Sequence, residues 1–240
     1  MTTFALVHGA FCSASTWDLL RPELHARGHR TLAMDLPSED PAAGCARYAQ
    51  VVLESLSGVE DPVVLVGHSL GGLTVPLVAA RRPVSRMVFL CAFIPRPGLA
   101  FREQFATEEG MFPPSSEETW PLPGESGLLN WPPERAIPAL MPDVEPALAA
   151  RAAASLRRQS TAPHAEVCPL NAWPEVPSSY ILCLEDTQVG VEWARRAAHD
   201  RLGTVALELP GGHMPMLGRP AELAEALAAC LAPAERAPAR

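Results

Sequence analysis

Residues 62–72 read Pro62-Val63-Val64-Leu65-Val66-Gly67-His68-Ser69-Leu70-Gly71-Gly72, and this stretch decides the fold. The apolar run 63–66 has the composition of a strand buried on both faces. It feeds a Gly-x-Ser-x-Gly pentapeptide formed by Gly67, Ser69 and Gly71, and the apolar stretch 70–80 follows. Strand, sharp turn and helix in that order make a nucleophile elbow, which lifts a serine hydroxyl above the edge of a parallel sheet. The glycines have a steric reason. The turn strains the serine backbone, and side chains at the flanking positions would strike the neighbouring strand and helix. Pro76 lies inside the helical stretch, where it is either tolerated or makes a kink. A five-residue motif is short, so its context has to carry the reading.

Outward from the elbow, strand-like and helix-like segments alternate. Residues 4–7, 31–35, 63–66, 87–94, 180–184 and 204–209 read as strands; 17–27, 48–57, 70–80, 191–202 and 221–231 read as helices. Strands separated by helices imply an α/β fold: a mainly six-stranded parallel sheet, helices on both faces, and right-handed crossovers. The alternation is interrupted at 95–177, which holds 15 of the 26 prolines. That is too long for a plain connection. It has a helical stretch of its own at 145–158 and carries Phe101, Phe105, Met111, Phe112, Trp120, Trp131 and Trp173. We read it as a cap inserted before the fifth strand and folded over the carboxyl edge of the sheet, where open α/β sheets bind ligands. A disordered proline-rich insert is the alternative, and the aromatics weigh against it. The expected organisation is a core of 1–94 and 178–232, a cap of 95–177 and a disordered tail of 233–240.

Composition narrows the function classes. A chain of 240 residues with 48% hydrophobic content can bury a full core as one α/β domain. A formal charge of −8 disfavours nucleic acid or an anionic membrane surface as a partner. All 19 basic residues are arginine, which removes lysine Schiff-base and P-loop chemistry. The six cysteines are scattered without a C-x-x-C pair, so neither a zinc framework nor a disulfide scaffold is expected. No cofactor and no metal is called for. The first residues enter a strand at once and no run reaches membrane-spanning length, so the expected location is the cytoplasm. Oligomeric state is not readable, with a homodimer kept open.

A serine hydroxyl needs a base, and seven histidines are available. His25 and His29 flank a helix end and are expected to be solvated; His164 and His199 sit in polar stretches with no obvious partner. His68 should point along the elbow rather than at the serine, and His8 ends the first strand. His213, in Leu-Pro-Gly-Gly-His-Met-Pro-Met after the last strand, is where the base belongs. The acid should come between serine and histidine in the chain, at a strand end. Glu185 and Asp186 both qualify; the shorter Asp186 is favoured, Glu185 stays open, and Asp35 falls too early. Its work is to fix the imidazole tautomer and stabilise the imidazolium. Two backbone N–H groups should hold the developing oxyanion, that of Leu70 at the start of the elbow helix and that of Ala10 in the loop after the first strand.

At this point the chain resembles the α/β-hydrolase fold family, and within it the small plant methylesterases and hydroxynitrile lyases with their bacterial homologues. The resembling segments are Leu-Val-His8-Gly-Ala with Trp17 downstream, Gly-His-Ser69-Leu-Gly-Gly, Ala92-Phe-Ile-Pro95-Arg-Pro-Gly98, Cys183-Leu-Glu-Asp186 and Gly-Gly-His213-Met-Pro-Met. They extend over nearly the whole chain except the cap. The resemblance implies Ser69, Asp186 and His213 as a catalytic triad and the Ala10 and Leu70 N–H groups as the oxyanion hole. The lyases of that group look to carry threonine where Gly9 lies and lysine directly after the histidine, where this chain has Met214. The expected activity is therefore hydrolysis of a small, largely apolar carboxylic ester through an acyl-enzyme. Phe11, Met214, Met216 and cap aromatics, Trp131 among them, are expected to line its pocket. A lyase-like or other non-hydrolytic enzyme with the same triad, and a slowly turning ligand receptor, are the rivals.

Overall fold

The computed structural model describes residues 1–114 and 119–232; the expected tail at 233–240 lies outside the described residues. The strands are β1 (Thr3–Val7), β2 (Arg30–Ala33), β3 (Val63–His68), β4 (Arg86–Leu90), β5 (Leu122–Pro123), β6 (Leu129–Asn130), β7 (Ser178–Cys183) and β8 (Leu207–Leu209). Six of them form one sheet in the order β2-β1-β3-β4-β7-β8, with every neighbouring pair parallel; β5 and β6 form a separate antiparallel ribbon.

The side-chain period of two divides the sheet between two cores. Ala5, Val7, Leu65, Met87, Phe89, Tyr180 and Leu182 face α2 (Cys45–Ser55), α3 (Val75–Ala79) and α8 (Val191–Leu202). Phe4, Leu6, Val64, Val66, Val88, Leu90, Ile181 and Cys183 face α1 (Leu20–Ala26) and α10 (Pro220–Ala229). A sheet covered on both faces needs apolar residues at every strand position, which is why 63–66 is an unbroken run. The chain leaves β1 on one side to make β2 and on the other to make β3. The carboxyl ends of β1 and β3 therefore meet where the winding reverses. Their register pairs Val7 with Gly67, so the loops that begin at His8 and end β3 emerge side by side.

Segment 95–177 carries α4 (Phe101–Thr107), the β5–β6 ribbon, α5 (Pro133–Leu140), α6 (Pro146–Ala154) and α7 (Ala162–Ala165). Prolines stand in the first turns of α5, α6 and α7, where the missing N–H costs no hydrogen bond. Glu145 caps α6, its carboxylate accepting from the N–H groups of Ala147 and Leu148 at 2.9 Å each. The segment is packed into both cores: Phe101, Met111 and Cys168 join one, and Ala136, Leu140, Met141 and Ala149 the other.

Several expected elements are shorter. The stretch 70–80 is a 3-10 turn (Ser69–Leu73) followed by α3, and Pro76 sits in the first turn of α3 rather than in a helix interior. Likewise 17–27 divides into a 3-10 turn (Ala14–Trp17) and α1. The strand expected to reach residue 94 stops at Leu90, because Cys91 takes φ 44° and turns the chain. The Tyr180 hydroxyl pins that turn, accepting from the Ala92 N–H (3.0 Å) and donating to the Ala92 carbonyl (2.6 Å). The helix expected over 145–158 ends at Ala154, and the chain beyond it runs back along the sheet-edge loops.

Candidate active site

Ser69 occupies the left-handed backbone region, φ 51°, which a side chain with a Cβ enters only under constraint. The constraint is the close fit of the elbow. A Cβ on Gly71 would lie 2.7 Å from the Val7 carbonyl oxygen and 2.8 Å from that of His8; one on Gly67 would lie 2.8 Å from the Gly71 oxygen and 2.9 Å from Val75. Gly71 thus presses on β1 and Gly67 on the helical side. The Phe93 N–H donates to the Ser69 carbonyl at 3.2 Å and holds the turn from β4. Leu70 stands in the 3-10 turn and not at the start of an α-helix. The electrostatic help expected from a helix dipole reduces to the turn's own unpaired N–H groups.

His213 follows β8 and is buried, with Nδ1 at 3.0 Å from both carboxylate oxygens of Asp186. Asp186 is fixed in turn: its Oδ1 accepts from the N–H groups of Gln188 (2.7 Å) and Val189 (3.0 Å). The adjacent Glu185 is exposed, so Asp186 is the carboxylate that meets the imidazole. Nδ1–H donates to Asp186, and His213 and Ser69 line one cavity without a hydrogen bond between them among the described residues. Asp35 is engaged elsewhere, accepting from the Ala14 N–H at 2.7 Å.

The other histidines divide differently from the sequence expectation. His68 is buried and its Nε2–H donates to the His213 carbonyl at 2.9 Å, so it supports the loop that carries His213. Burial and the neighbouring His213 hold its pKa well below the ordinary value, which keeps it neutral. His8 donates from Nδ1 to the Gly9 carbonyl (2.8 Å) and accepts at Nε2 from the Leu36 N–H (3.0 Å). Burial pushes its pKa down to about 4. His164 is a wall of the cavity, 5.5 Å from the Phe101 ring, with its pKa also lowered to about 4 by burial. His199 is beside Asp200 (2.7 Å), His25 bonds Thr31, and His29 is packed edge-on to Phe4 rather than simply solvated.

Gly9 lies against the elbow: a Cβ there would come within 2.8 Å of the Ser69 Cβ. In the loop that follows, the Phe11 N–H donates to Gln159 Oε1 (3.3 Å) and the Cys12 N–H to the Gly9 carbonyl (3.4 Å). The Ala10 N–H makes no hydrogen bond among the described residues, and Ala10 faces the cavity beside Ser69 and Leu70.

The cavity holds about 330 Å³. Phe11, Trp131 and Met214 line it as the sequence implied, joined by Phe93, Phe101, Phe105, Phe112 and Trp120. Phe11 and Trp131 meet edge to face at 5.0 Å. Two expected contributors are elsewhere: Met216 is fully buried beneath, in the core with α10, and Trp173 stacks on Phe89. One belongs to each core of the sheet, which side-chain type alone does not reveal. Among the described residues no group of three His, Cys, Asp or Glu side chains is placed to hold a metal ion.

A family model described as "Alpha/beta hydrolase family" matches residues 4–226. The chain belongs to the alpha/beta hydrolase family. It is similar to a pyrethroid hydrolase of Sphingobium wenxiniae, 28% identical over 95% of this chain and 87% of that protein. It is likewise similar to methylesterase 2 of Arabidopsis thaliana, 30% identical over 94% of each chain. Among solved structures, a pyrethroid hydrolase from Sphingobium faniae superposes with a TM-score of 0.79 at 27% identity, covering 97% of this chain and 98% of its own. The six parallel strands and the serine turn at the end of β3 are thus those of an alpha/beta hydrolase.

Proposed function

We propose that Ser69, His213 and Asp186 cleave a small, largely apolar carboxylic ester through an acyl-enzyme. The enzyme is a carboxylic ester hydrolase. The observation that carries the mechanism is the convergence of strand ends: the Ser69 elbow and the Asp186-bound imidazole of His213 open onto one apolar cavity.

In the first half-reaction His213 Nε2 takes the Ser69 proton as Oγ attacks the ester carbonyl. The oxyanion is received by the Ala10 and Leu70 N–H groups, the first of which has no hydrogen-bond partner to give up among the described residues. Collapse expels the alcohol with the proton from His213. Water, deprotonated by the same imidazole, then attacks the acyl carbonyl and releases the acid and Ser69. Asp186 keeps Nδ1 protonated throughout and stabilises the imidazolium. His8 and His68, kept neutral by burial, add no competing positive charge and serve to fix the loops.

We read segment 95–177 as the cap, since Phe101, Phe105, Phe112, Trp120 and Trp131 come from it and line the same cavity as Ser69. A volume of about 330 Å³ lined by aromatic rings suits an ester with an aromatic or bulky aliphatic group. The sequence relatives, a pyrethroid hydrolase and a methylesterase, support the same reading. Cyanohydrin cleavage is the weaker alternative. It calls for a side chain at position 9 and a cation after the histidine, whereas Gly9 has no room for a Cβ and Met214 carries no charge. All six cysteines are unpaired and buried, in keeping with a reducing compartment such as the cytoplasm. Among the described residues no helix is long and apolar enough to cross a membrane.

The test is a panel of p-nitrophenyl and methyl esters, thioesters, lactones and mandelonitrile, run on wild type and Ser69→Ala together. The account requires ester turnover that Ser69→Ala abolishes and no cyanide release. Wild-type rates in Ser69→Ala would refute it, and a single burst without turnover would favour the receptor reading.

A further inference from the structure

We propose that Gln159 is a positioning residue for the oxyanion hole: from within segment 95–177 it holds the Ala10–Phe11 peptide so that the Ala10 N–H stays aimed at the cavity. The inference rests on the reading of Ser69 as nucleophile and of the Ala10 N–H as an oxyanion donor, and it adds the residue that sets that donor's direction.

Phe11 stands at φ 63°, a conformation a phenylalanine does not hold unaided. Two hydrogen bonds from one short strip of chain keep it there. The Phe11 N–H donates to Gln159 Oε1 (3.3 Å), and the Arg157 N–H donates to the Phe11 carbonyl (2.7 Å). The amide of Gln159 cannot turn over. Its Nε2 donates to the Tyr48 hydroxyl (3.1 Å) and to the Ser160 carbonyl (2.9 Å), so a flip would set donor against donor at Phe11 and acceptor against acceptor at Ser160. Gln159 is fully buried, and its backbone pairs in both directions with Leu129 at 2.8 and 3.0 Å.

The consequence for Ala10 follows from peptide planarity. The Ala10 N–H shares a plane with the Gly9 carbonyl and points the opposite way. That carbonyl is held by His8 Nδ1–H and by the Cys12 N–H. The Cys12 contact spans a turn that exists only while Phe11 stays left-handed. If the Gln159 acceptor is removed, the Phe11 N–H is buried and unpaired, and the cheapest relief is for Phe11 to leave φ 63°. The turn then opens, the Gly9–Ala10 plane rotates, and the N–H swings off the oxyanion. The same strip fastens the second loop of the crevice: the Arg157 guanidinium donates to the Leu36 carbonyl (3.0 Å) and the Ser160 N–H to the Ser38 carbonyl (2.7 Å). The inserted segment therefore completes the chemical site as well as covering it.

The experiment compares wild type with Gln159→Leu, using a trifluoromethyl ketone as a mimic of the tetrahedral adduct and an ether analogue of the ester that lacks the carbonyl. Losing one oxyanion donor outright costs about a hundredfold to a thousandfold in kcat, so misaiming it should cost about tenfold to a hundredfold. Expected are that loss in kcat with KM within about twofold, a parallel loss of ketone affinity, and ether affinity within about twofold of wild type. A kcat within twofold of wild type overturns the proposal, as does an equal fall of ketone and ether affinity, which would mean a damaged pocket. If Gln159→Leu does not fold, Tyr48→Phe, which removes only the hydroxyl behind the glutamine, should show the same pattern at about threefold to tenfold. No loss there overturns the proposal. A wild type that binds the ketone no better than the ether overturns the nucleophile reading as well, so the two failures are distinguishable.

Discussion

The loops at the strand ends and the inserted segment 95–177 both line one cavity, and they do so by different means. Ser69, Asp186 and His213 are each one or a few residues past a strand of the sheet, and their backbones are locked by close contact. A Cβ on Gly71 would overlap the backbone at the end of β1, and each oxygen of Asp186 already has a donor. The wall from segment 95–177 draws on α4, α5, α7 and the β5–β6 ribbon, and it presents mainly apolar side chains, with Arg102 and His164 as its hydrogen-bonding groups. Under the proposed mechanism the reacting groups come from the sheet side, with Gln159 bracing the oxyanion donor from the inserted segment. Under the same proposal selectivity comes from the rings of the insertion, which can be resized one by one.

That contrast is open to attack at four points, from the largest effect downward. On the sheet side, His213→Ala should lower kcat for p-nitrophenyl acetate by about three to six orders of magnitude, and Asp186→Asn by about four. A loss below tenfold in either would dissolve the division. Gly9→Thr should cost about a hundredfold in kcat, because its Cβ must displace Ser69 from its position by a substantial fraction of an ångström. Steady-state rates with a folded-state check by circular dichroism would measure it. On the insertion side, Trp131→Ala should change kcat/KM for a bulky aromatic ester by about tenfold, the worth of one well-packed ring. The acetate ester should stay within about twofold. Equal effects on both esters would show that the ring at position 131 governs reactivity rather than selectivity.

The smallest effect is on stability. His8 on the sheet side and His164 in the insertion both have pKa values lowered to about 4, against 6.5 unfolded. Between these values the unfolded chain binds more protons, so unfolding free energy rises with pH. The stability is complete above about pH 6.5 and is lost as pH falls towards 4. Melting temperature measured from pH 7 to pH 4.5 should decline, and His164→Phe should remove part of the slope. A flat profile would show that neither ring is held neutral.

What was legible in the sequence follows the same division. The sheet could be read because burial on both faces leaves long apolar runs, and the elbow because glycine is forced where Gly67 and Gly71 meet other backbone. Ser69, Asp186 and His213 follow from strand ends, since a parallel sheet brings all its carboxyl ends to one edge. The break within 70–80 was not legible: nothing local says whether Pro76 stands in a first turn or an interior one. Contacts across the chain were hidden too. Gln159 reaches Phe11 over 148 residues and His68 reaches the His213 carbonyl over 145. Neither glutamine nor histidine advertises such a partner by spacing. Met216 and Trp173 were misplaced because an apolar side chain fits a cavity wall and a core equally well.

The most direct measurement is covalent labelling with a fluorophosphonate followed by peptide mapping. The account predicts one adduct per chain on Ser69, absent in Ser69→Ala and formed at least a hundredfold more slowly in His213→Ala, in line with the loss expected for an unassisted serine. An adduct on another residue, or labelling of Ser69 at an unchanged rate without His213, would contradict it.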